Sequence, residues 1–332
     1  MGLLALNCNV STFTCQTVQI KTTKRTPTLG QVSDLDIRLL RVFRTVAECG
    51  GLAAAELELN IGVSTVSRHI KDLEERLGLV LCRRGRGGFA LTAEGQQVYD
   101  DALRLLAAID GFRAGVEEIH QRMTGSISIA LFDKIVTNPE GRVSEAIGKF
   151  VERAPDVAIE LHVAPLNAIE RGVMDGQYQI GIAPMHRCSA SLDYHPLFPE
   201  RMYLYCGKAH PLFCADDETL SWDDIRTESY AGLGYHSPNM ELSHEVQLRR
   251  SASAYDQEAV AMLVQSGRFI GFLPDHYART FEADGAMRRL RPARFNYDVR
   301  FAALARHAPK PSRVAQTFID CLLAAHSHTP EG

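Results

Sequence analysis

Residues 59–78 read LNIGVSTVSRHIKDLEERLG, and this stretch decides the fold. Asn60-Ile61-Gly62 has the composition of a turn. Beyond it, Val66, Ile70, Leu73 and Leu77 recur at the spacing of one helix face. A helix is therefore expected over about 63–77, ended by Gly78. Ser64, Thr65, Ser67, Arg68 and Lys71 lie off the apolar stripe. Short hydroxyls at the start of a helix let its backbone approach the major groove of DNA, and Arg68 can reach a guanine edge or a phosphate.

Upstream, helical periodicity begins at Asp34. Leu35, Leu39, Val42, Phe43 and Val46 share a face, Gly50-Gly51 ends the helix, and an Ala-rich helix over 52–58 leads to the turn. Downstream, two short apolar runs flank Arg83, Arg84, Gly85, Arg86, Gly87 and Gly88, which reads as a hairpin with a basic tip. Such a tip can lie along phosphates or enter the minor groove. Six basic residues (68, 71, 76, 83, 84, 86) stand against three acidic ones (72, 74, 75) between Gly62 and Leu91. Thr92-Ala93-Glu94-Gly95 then opens a helix, with Thr92 as N-cap and a carboxylate in the first turn. Its stripe is Val98, Ala102, Leu105, Leu106, Ile109, Phe112, Val116 and Ile119. About thirty residues make a rod of about 45 Å, which needs a partner along that stripe. Each piece alone would pass for a solvated helix face or a basic loop; their order carries the reading.

From Ser126 the pattern changes to short apolar runs alternating with helical segments. The runs are 127–131, 157–163, 180–183, 202–206, 230–233 and 269–273; the helices cover about 140–153, 166–175 and 256–266. That is α/β order with a mostly parallel sheet. Ligands in such sheets bind beyond the carboxyl ends of strands. Those ends place Phe132, Asp133, Pro184, Tyr235 and Pro274 at one expected cleft. Asn138 followed by Pro139 is a helix-start signal, so free N–H groups at Thr137 and Asn138 are expected to favour an anionic ligand. Asp133 adds negative charge there, which Lys134 can offset.

Several words of the chain resemble the LysR-type transcriptional regulators. Val42–Glu48, Leu59–Ile70, Leu73–Gly78 and Leu91–Gly95 resemble the family's DNA-binding domain over about sixty residues. Two departures stand out: the family often has Ser then Gln where this chain has Gly62 and Val63, and often Ser where it has Gly51. The first puts individual base contacts in doubt, not the fold. Asp175–Ile182, His210–Leu212 and Val264–Pro274 resemble, more loosely, the family's effector domain. The expected fold is α+β overall. It comprises a winged helix-turn-helix (34–91), a linker and dimerisation helix (92–125), and a two-lobed α/β effector domain like a periplasmic binding protein (126–326). The resemblance implies operator DNA, a small-molecule effector, and a homodimer or homotetramer as partners, with RNA polymerase added if the protein activates.

Composition narrows the alternatives. The chain has 332 residues, 45% hydrophobic, with a formal net charge of −4, so any DNA-binding charge must be local. No run approaches the roughly 18 apolar residues of a membrane span, and no basic segment precedes the apolar start, so a cytoplasmic protein is expected. Eight cysteines without a C-x-x-C pair fit reduced thiols; Cys206 and Cys214 flank a turn, and redox sensing is set aside. Residues 1–33 read as a disordered extension. The alternatives are a start codon placed too early, or a basic arm around Lys21, Lys24 and Arg25. Twelve histidines form no H-E-x-x-H and no His/Cys cluster, so no metal and no cofactor is expected. No nucleophile elbow, phosphate loop or dinucleotide fingerprint points to an enzyme, and a secreted solute-binding protein would need a leader.

Overall fold

The computed structural model describes residues 30–85, 88–119 and 123–327, in two compact units divided between Tyr99 and Asp100. The expected extension over 1–33 lies almost wholly outside the described residues, and so does Arg86.

The first unit contains α1 (Asp34–Glu48), α2 (Leu52–Leu59), α3 (Val63–Leu77) and a hairpin of β1 (Cys82–Gly85) and β2 (Gly88–Leu91). Phe43, Val46, Ala55, Val66, Ile70 and Leu73 form its core. Asn60 (φ 51°) and Gly78 (φ 68°) end α2 and α3 in the left-handed conformation. One expectation changes: Leu35 is 50% exposed, and α1 buries Leu40 and the acidic Asp36 instead. Arg76 of α3 is the cause. Its Nε donates to Asp36 Oδ1 at 2.5 Å and its Nη2 to Oδ2 at 2.9 Å, while Ser33 N donates to Oδ2 at 2.8 Å. Those bonds from Arg76, then from Ser33, hold the Asp36 carboxyl far below the usual carboxylate range against the cost of burial.

Two more carboxylates fix the unit. Glu74 Oε1 accepts from Leu81 N at 2.7 Å and Cys82 N at 3.4 Å, so α3 holds the start of the hairpin. Glu56 Oε1 accepts from Val63 N at 3.4 Å, capping α3 where Gly62 has no side chain to do so. Then comes α4 (Ala93–Ile119), whose 27 residues span about 40 Å. Thr92 caps it: Oγ1 accepts from Gly95 N at 2.8 Å and donates to Val80 O at 2.6 Å.

The rest of the second unit is a nine-stranded sheet flanked by helices. Its first lobe holds β3 (Gly125–Leu131), α5 (Val143–Arg153), β4 (Val157–Val163), α6 (Leu166–Asp175) and β5 (Ile180–Pro184). A long strand, β6 (Leu192–Gly207), leads to the second lobe. That lobe holds α7 (Trp222–Thr227), β7 (Tyr230–Leu233), α8 (Pro238–Glu245), β8 (Arg250–Ala254), α9 (Gln257–Gln265), β9 (Ile270–Pro274), α10 (Asp275–Ala283) and β10 (Met287–Arg289). The chain returns along β11 (Asn296–Arg306) and ends in α11 (Arg313–His326), which packs on α5 through Phe150 and Phe318.

The strand order is β4-β3-β5-β11-β6-β9-β7-β8, with β10 beside β6. Pairing is parallel within each lobe (β3 with β4 and β5, β7 with β8 and β9) but antiparallel wherever β6 or β11 takes part. The expected mostly parallel sheet is thus corrected to a mixed one. Inside a lobe, strand–helix–strand connections force parallel neighbours. Between lobes the chain leaves along β6 and comes back along β11, so these two run in opposite directions. Pro196 and Pro199 interrupt the apolar pattern of β6, which is why only 202–206 reads as a strand. The ladder absorbs both prolines at an irregularity between Arg300 and Ala302, opposite them.

A second correction concerns the expected helix start at Asn138. Residues 135–137 form a single 3₁₀ turn and α5 begins only at Val143. Thr137 N donates to Lys134 O and Asn138 N to Ile135 O, while Asn138 Oδ1 accepts from Glu140 N at 2.9 Å. The amide side chain closes a local turn rather than capping a helix, and no free N–H is left at 137 and 138 to receive an anion.

Candidate DNA-reading face and effector cleft

On α3, the apolar side (Val66, Ile70, Leu73) is fully buried, which turns Ser64, Arg68 and Lys71 outward and leaves Thr65 and Ser67 half-buried. Lys71 Nζ lies 3.5 Å from Glu75 Oε1, an exposed pair one helical turn apart that contributes little to stability. Arg83 is exposed on β1, opposite Ala90, and Arg84 follows it in the same strand, opposite Phe89. The unit therefore carries an exposed polar face on its third helix, followed by a hairpin with arginines. Glu56, Glu74, Asp36 and Arg76, which hold this arrangement, were not read as structural from the sequence. Spacing within residues 73–78 places Glu74 and Arg76 off the apolar stripe, the one signal that separates them from the buried positions.

In the second unit, the strands of the two lobes end around a cleft of ≈ 300 Å³, counting the part open to solvent. Of the residues expected there, Phe132 and Pro184 line it; Glu200, Ser237, Asn239 and Gln257 line it too and were missed. Leu166, Met202, Leu233 and Val299 supply apolar wall. Pro274 sits within the β6–β9 ladder, opposite Met202, and stands outside the lining. Tyr235, also outside it, is 7% exposed, and its buried hydroxyl has no partner among the described residues.

The polar lining is mostly neutral, from Ser237, Asn239, Gln257 and Tyr297. Among the described residues no lysine or arginine lines the cleft, and the one carboxyl in its lining is Glu200, 5% exposed. Burial pushes that carboxyl up, opposed by a 2.9 Å contact with His276 Nε2. Asn239 is spent internally: its Oδ1 accepts from Tyr230 Oη at 2.8 Å and Leu233 N at 3.3 Å, and its Nδ2 donates to Tyr297 Oη at 3.3 Å. Gln257, 2% exposed, leaves its Oε1 buried without a partner among the described residues. A buried acceptor without a donor costs about 1–3 kcal/mol, and a ligand can supply the missing donor.

Two family models match this chain. "Bacterial regulatory helix-turn-helix protein, lysR family" covers residues 37–96 and "LysR substrate binding domain" covers 120–327. The HTH-type transcriptional activator BauR of Pseudomonas aeruginosa is 41% identical over 298 residues, 90% of this chain and 98% of BauR. The chain belongs to the LysR family of transcriptional regulators. The transcriptional activator protein LysR of Escherichia coli is 23% identical over 285 residues, 84% of this chain and 89% of that protein. Among solved structures, CbnR, a LysR family regulator, superposes with a TM-score of 0.59 at 19% identity, covering 87% of this chain and 99% of CbnR. A structure of CbnR with its target DNA gives the same score at 20% identity over 87% of this chain and 99% of that one. At that identity the likeness establishes the fold. This LysR-type regulator is accordingly a DNA-binding protein with an effector domain, not an enzyme. No helix among the described residues is long and apolar enough to cross a membrane.

The remaining expected effector residues of this regulator join its lobes. Asp133 Oδ2 accepts from Gln257 N, at the first turn of α9, at 2.7 Å. Lys134 Nζ donates to Glu258 Oε2 at 2.9 Å and sits 4.8 Å over the Tyr277 ring. Thr137 Oγ1 meets His276 Nδ1 at 2.8 Å, and Asn138 Nδ2 reaches Pro199 O at 3.4 Å. Asp133, Lys134 and Thr137 thus latch the end of β3 to α9 and α10. Burial pushes the Asp133 carboxyl up to about 6; the Gln257 amide and Lys134 pull it down, while Asp256 and Glu200 push it further up. The latch therefore touches the inter-lobe cleft at two points: Gln257 bonds Asp133 and lines the cleft, and Glu200 bonds His276, the partner of Thr137.

Proposed function

We propose that this regulator answers to a small organic effector that brings a hydrogen-bond-donating amino group into the inter-lobe cleft. The carrying observation is the lining. Glu200 and the orphaned Gln257 Oε1 are buried acceptors, and no cationic side chain stands among the lining residues. An anionic effector, expected from the strand-end sequence, would meet Glu200 and find the 137–138 amides already bonded. Occupying the cleft acts on Gln257 and Glu200, hence on the latch, so the ligand has a route to prefer one lobe arrangement. Coupling of about 1–3 kcal/mol is typical of such switches.

A thermal-shift panel on the full-length protein tests this, pairing small amino compounds with acids of the same size that lack the amino group. Amino compounds are expected to raise Tm and the bare acids to leave it unchanged. Gln257→Leu then weakens the stabilising compound about tenfold, as loss of one acceptor to a charged donor implies, with DNA affinity in the absence of effector unchanged. Stabilisation by acids alone would restore the anionic reading.

We further infer that Ser64, Thr65, Ser67, Arg68 and Lys71 read the operator while Arg83, Arg84 and Arg86 hold its backbone. The resemblance to the relative named a transcriptional activator supports activation, with RNA polymerase as partner and the cytoplasm as workplace. The long helix α4 serves as the dimer contact: it presents Phe112, 74% exposed, and Val116, 39% exposed. Arg83→Ala should weaken specific and random DNA alike and lower the salt slope by about one unit, whereas Arg68→Ala should change preference among sites. Filter binding across a salt series decides; identical behaviour of both variants and wild type would sink the assignment.

A further inference from the structure

Beyond the effector cleft, a second cluster joins the two lobes. His186 lies two residues past Pro184, at the end of β5 in the first lobe. His236 precedes Ser237 in the second lobe, and Glu241 follows on α8. His186 Nε2 and His236 Nδ1 are 2.6 Å apart, with ring centroids at 4.7 Å. His186 Nδ1 is 3.4 Å from Glu241 Oε2, and one donor atom from each of the three residues lies within 4.8 Å of the others. We propose that His186, His236 and Glu241 form a site for a divalent transition-metal ion of the zinc class, bridging the lobes beside the effector cleft.

The donor set selects the ion. Two imidazoles and one carboxylate suit zinc, cobalt and nickel; magnesium and calcium take oxygen. Three protein ligands leave a coordination position for water or an incoming group. Two nitrogens on one tetrahedral ion with bonds of about 2.0–2.1 Å stand about 3.3 Å apart. The facing nitrogens here are closer, since they share a hydrogen bond, and a small rotation of the exposed His236 ring opens the gap; Glu241 Oε2 now lies against the other His186 nitrogen, Nδ1, so its exposed side chain must swing toward Nε2 to complete the set. His186 is the fixed half: its side chain is only 6% exposed. Arg187 competes for Glu241, at 3.8 Å from its Oε1, across an exposed pair that a metal bond readily displaces. The three donors come together only when the lobes stand as they do here, so the ion would stabilise this arrangement independently of what fills the cleft.

The test uses full-length, tag-free protein stripped with chelator and titrated with ZnCl2 by calorimetry, with MgCl2 as control. Wild type is expected to bind one Zn2+ per chain and to ignore Mg2+. His236→Ala and Glu241→Gln, both at exposed positions, should each weaken Zn2+ binding about tenfold or more while keeping the metal-free Tm. With CoCl2, wild type should show the strong visible absorption of a low-coordinate nitrogen–oxygen site, and His236→Ala should lose it. Absence of Zn2+ binding by wild type, or equal affinity in wild type and His236→Ala, overturns the site. Retention of full affinity by Glu241→Gln removes the carboxylate and overturns the three-ligand proposal.

Discussion

Replacing Phe112 and Val116 together by aspartate should convert the protein to monomers and lower its operator affinity on the order of a hundredfold or more, because two joined reading heads bind with the avidity of a linked pair. Phe112 is 74% exposed and Val116 39% exposed, one helical turn apart on a 27-residue helix. A large aromatic left in water forfeits about 1.5–3 kcal/mol that burial would recover, and in an oligomer the second copy provides that burial. Charge on both positions would put carboxylates into an apolar contact, where burial without a partner is costly. Sedimentation reads the mass and a DNA titration reads the affinity. A double variant that still sediments as wild type would place the oligomer contact elsewhere than α4.

The second large effect is expected from one methyl group. In Gly95→Ala, the added Cβ would stand 1.9 Å from Leu81 O, 2.8 Å from its carbonyl carbon and 3.1 Å from its Cα. All three are backbone atoms, so no rotamer relieves the contact. Thr92 holds the same junction through Val80 O and Gly95 N, so the strand start and the first turn of α4 cannot simply slide apart. Overpacking of this kind costs about 1–3 kcal/mol, and here more, since the hairpin and helix must separate. Thermal unfolding should show a clear drop in Tm, and the hairpin's contribution to DNA binding should fall with it. A variant as stable as wild type would mean that the α4 start tolerates displacement.

How the DNA-binding unit reads from sequence shows what local signals carry. α2 and α3 end where Asn60 and Gly78 permit a left-handed residue, and α3 runs from Val63 to Leu77 because its apolar period demands it. Thr92 caps the long helix, as Thr92-Ala93-Glu94-Gly95 with its first-turn carboxylate suggests. These features depend on residues within a turn or two of each other. Leu35 fails for the complementary reason: periodicity put it on the buried face, but Arg76, forty residues on, draws Asp36 inward instead.

The effector domain divides the same way. Tyr230–Leu233 appears as an apolar run with its true bounds, because a buried parallel strand is apolar along its whole length. Val157–Val163 also reads with its true bounds, but as an edge strand whose Leu161 and Val163 are exposed. β11 does not, and β6 reads only in part, since its two prolines break the pattern and its pairing partner lies about a hundred residues away. Asn138-Pro139 looks like a helix start and is a turn, because a local signal was satisfied by Glu140 N before a helix could form. Strand ends located the cleft, and Phe132 and Pro184 were found by that rule. Glu200, Gln257 and Ser237 come from β6, α9 and the start of α8, and only the folding of two lobes onto one rim brings them together.

The chain's own sequence therefore determined the family, the order of elements, the polar face of α3 and the approximate rim of the cleft. Each is written in periods, caps and turns that act over a few residues. Tertiary structure alone decided the mixed sheet, the Asp36–Arg76 staple, the latch from Asp133 to α9, the make-up of the cleft's polar lining and the His186–His236–Glu241 cluster. The physical reason is range. Helix and strand periodicity follow from neighbouring backbone bonds, whereas hydrogen bonds between side chains forty to a hundred and forty residues apart depend on a geometry that exists only once both lobes have packed.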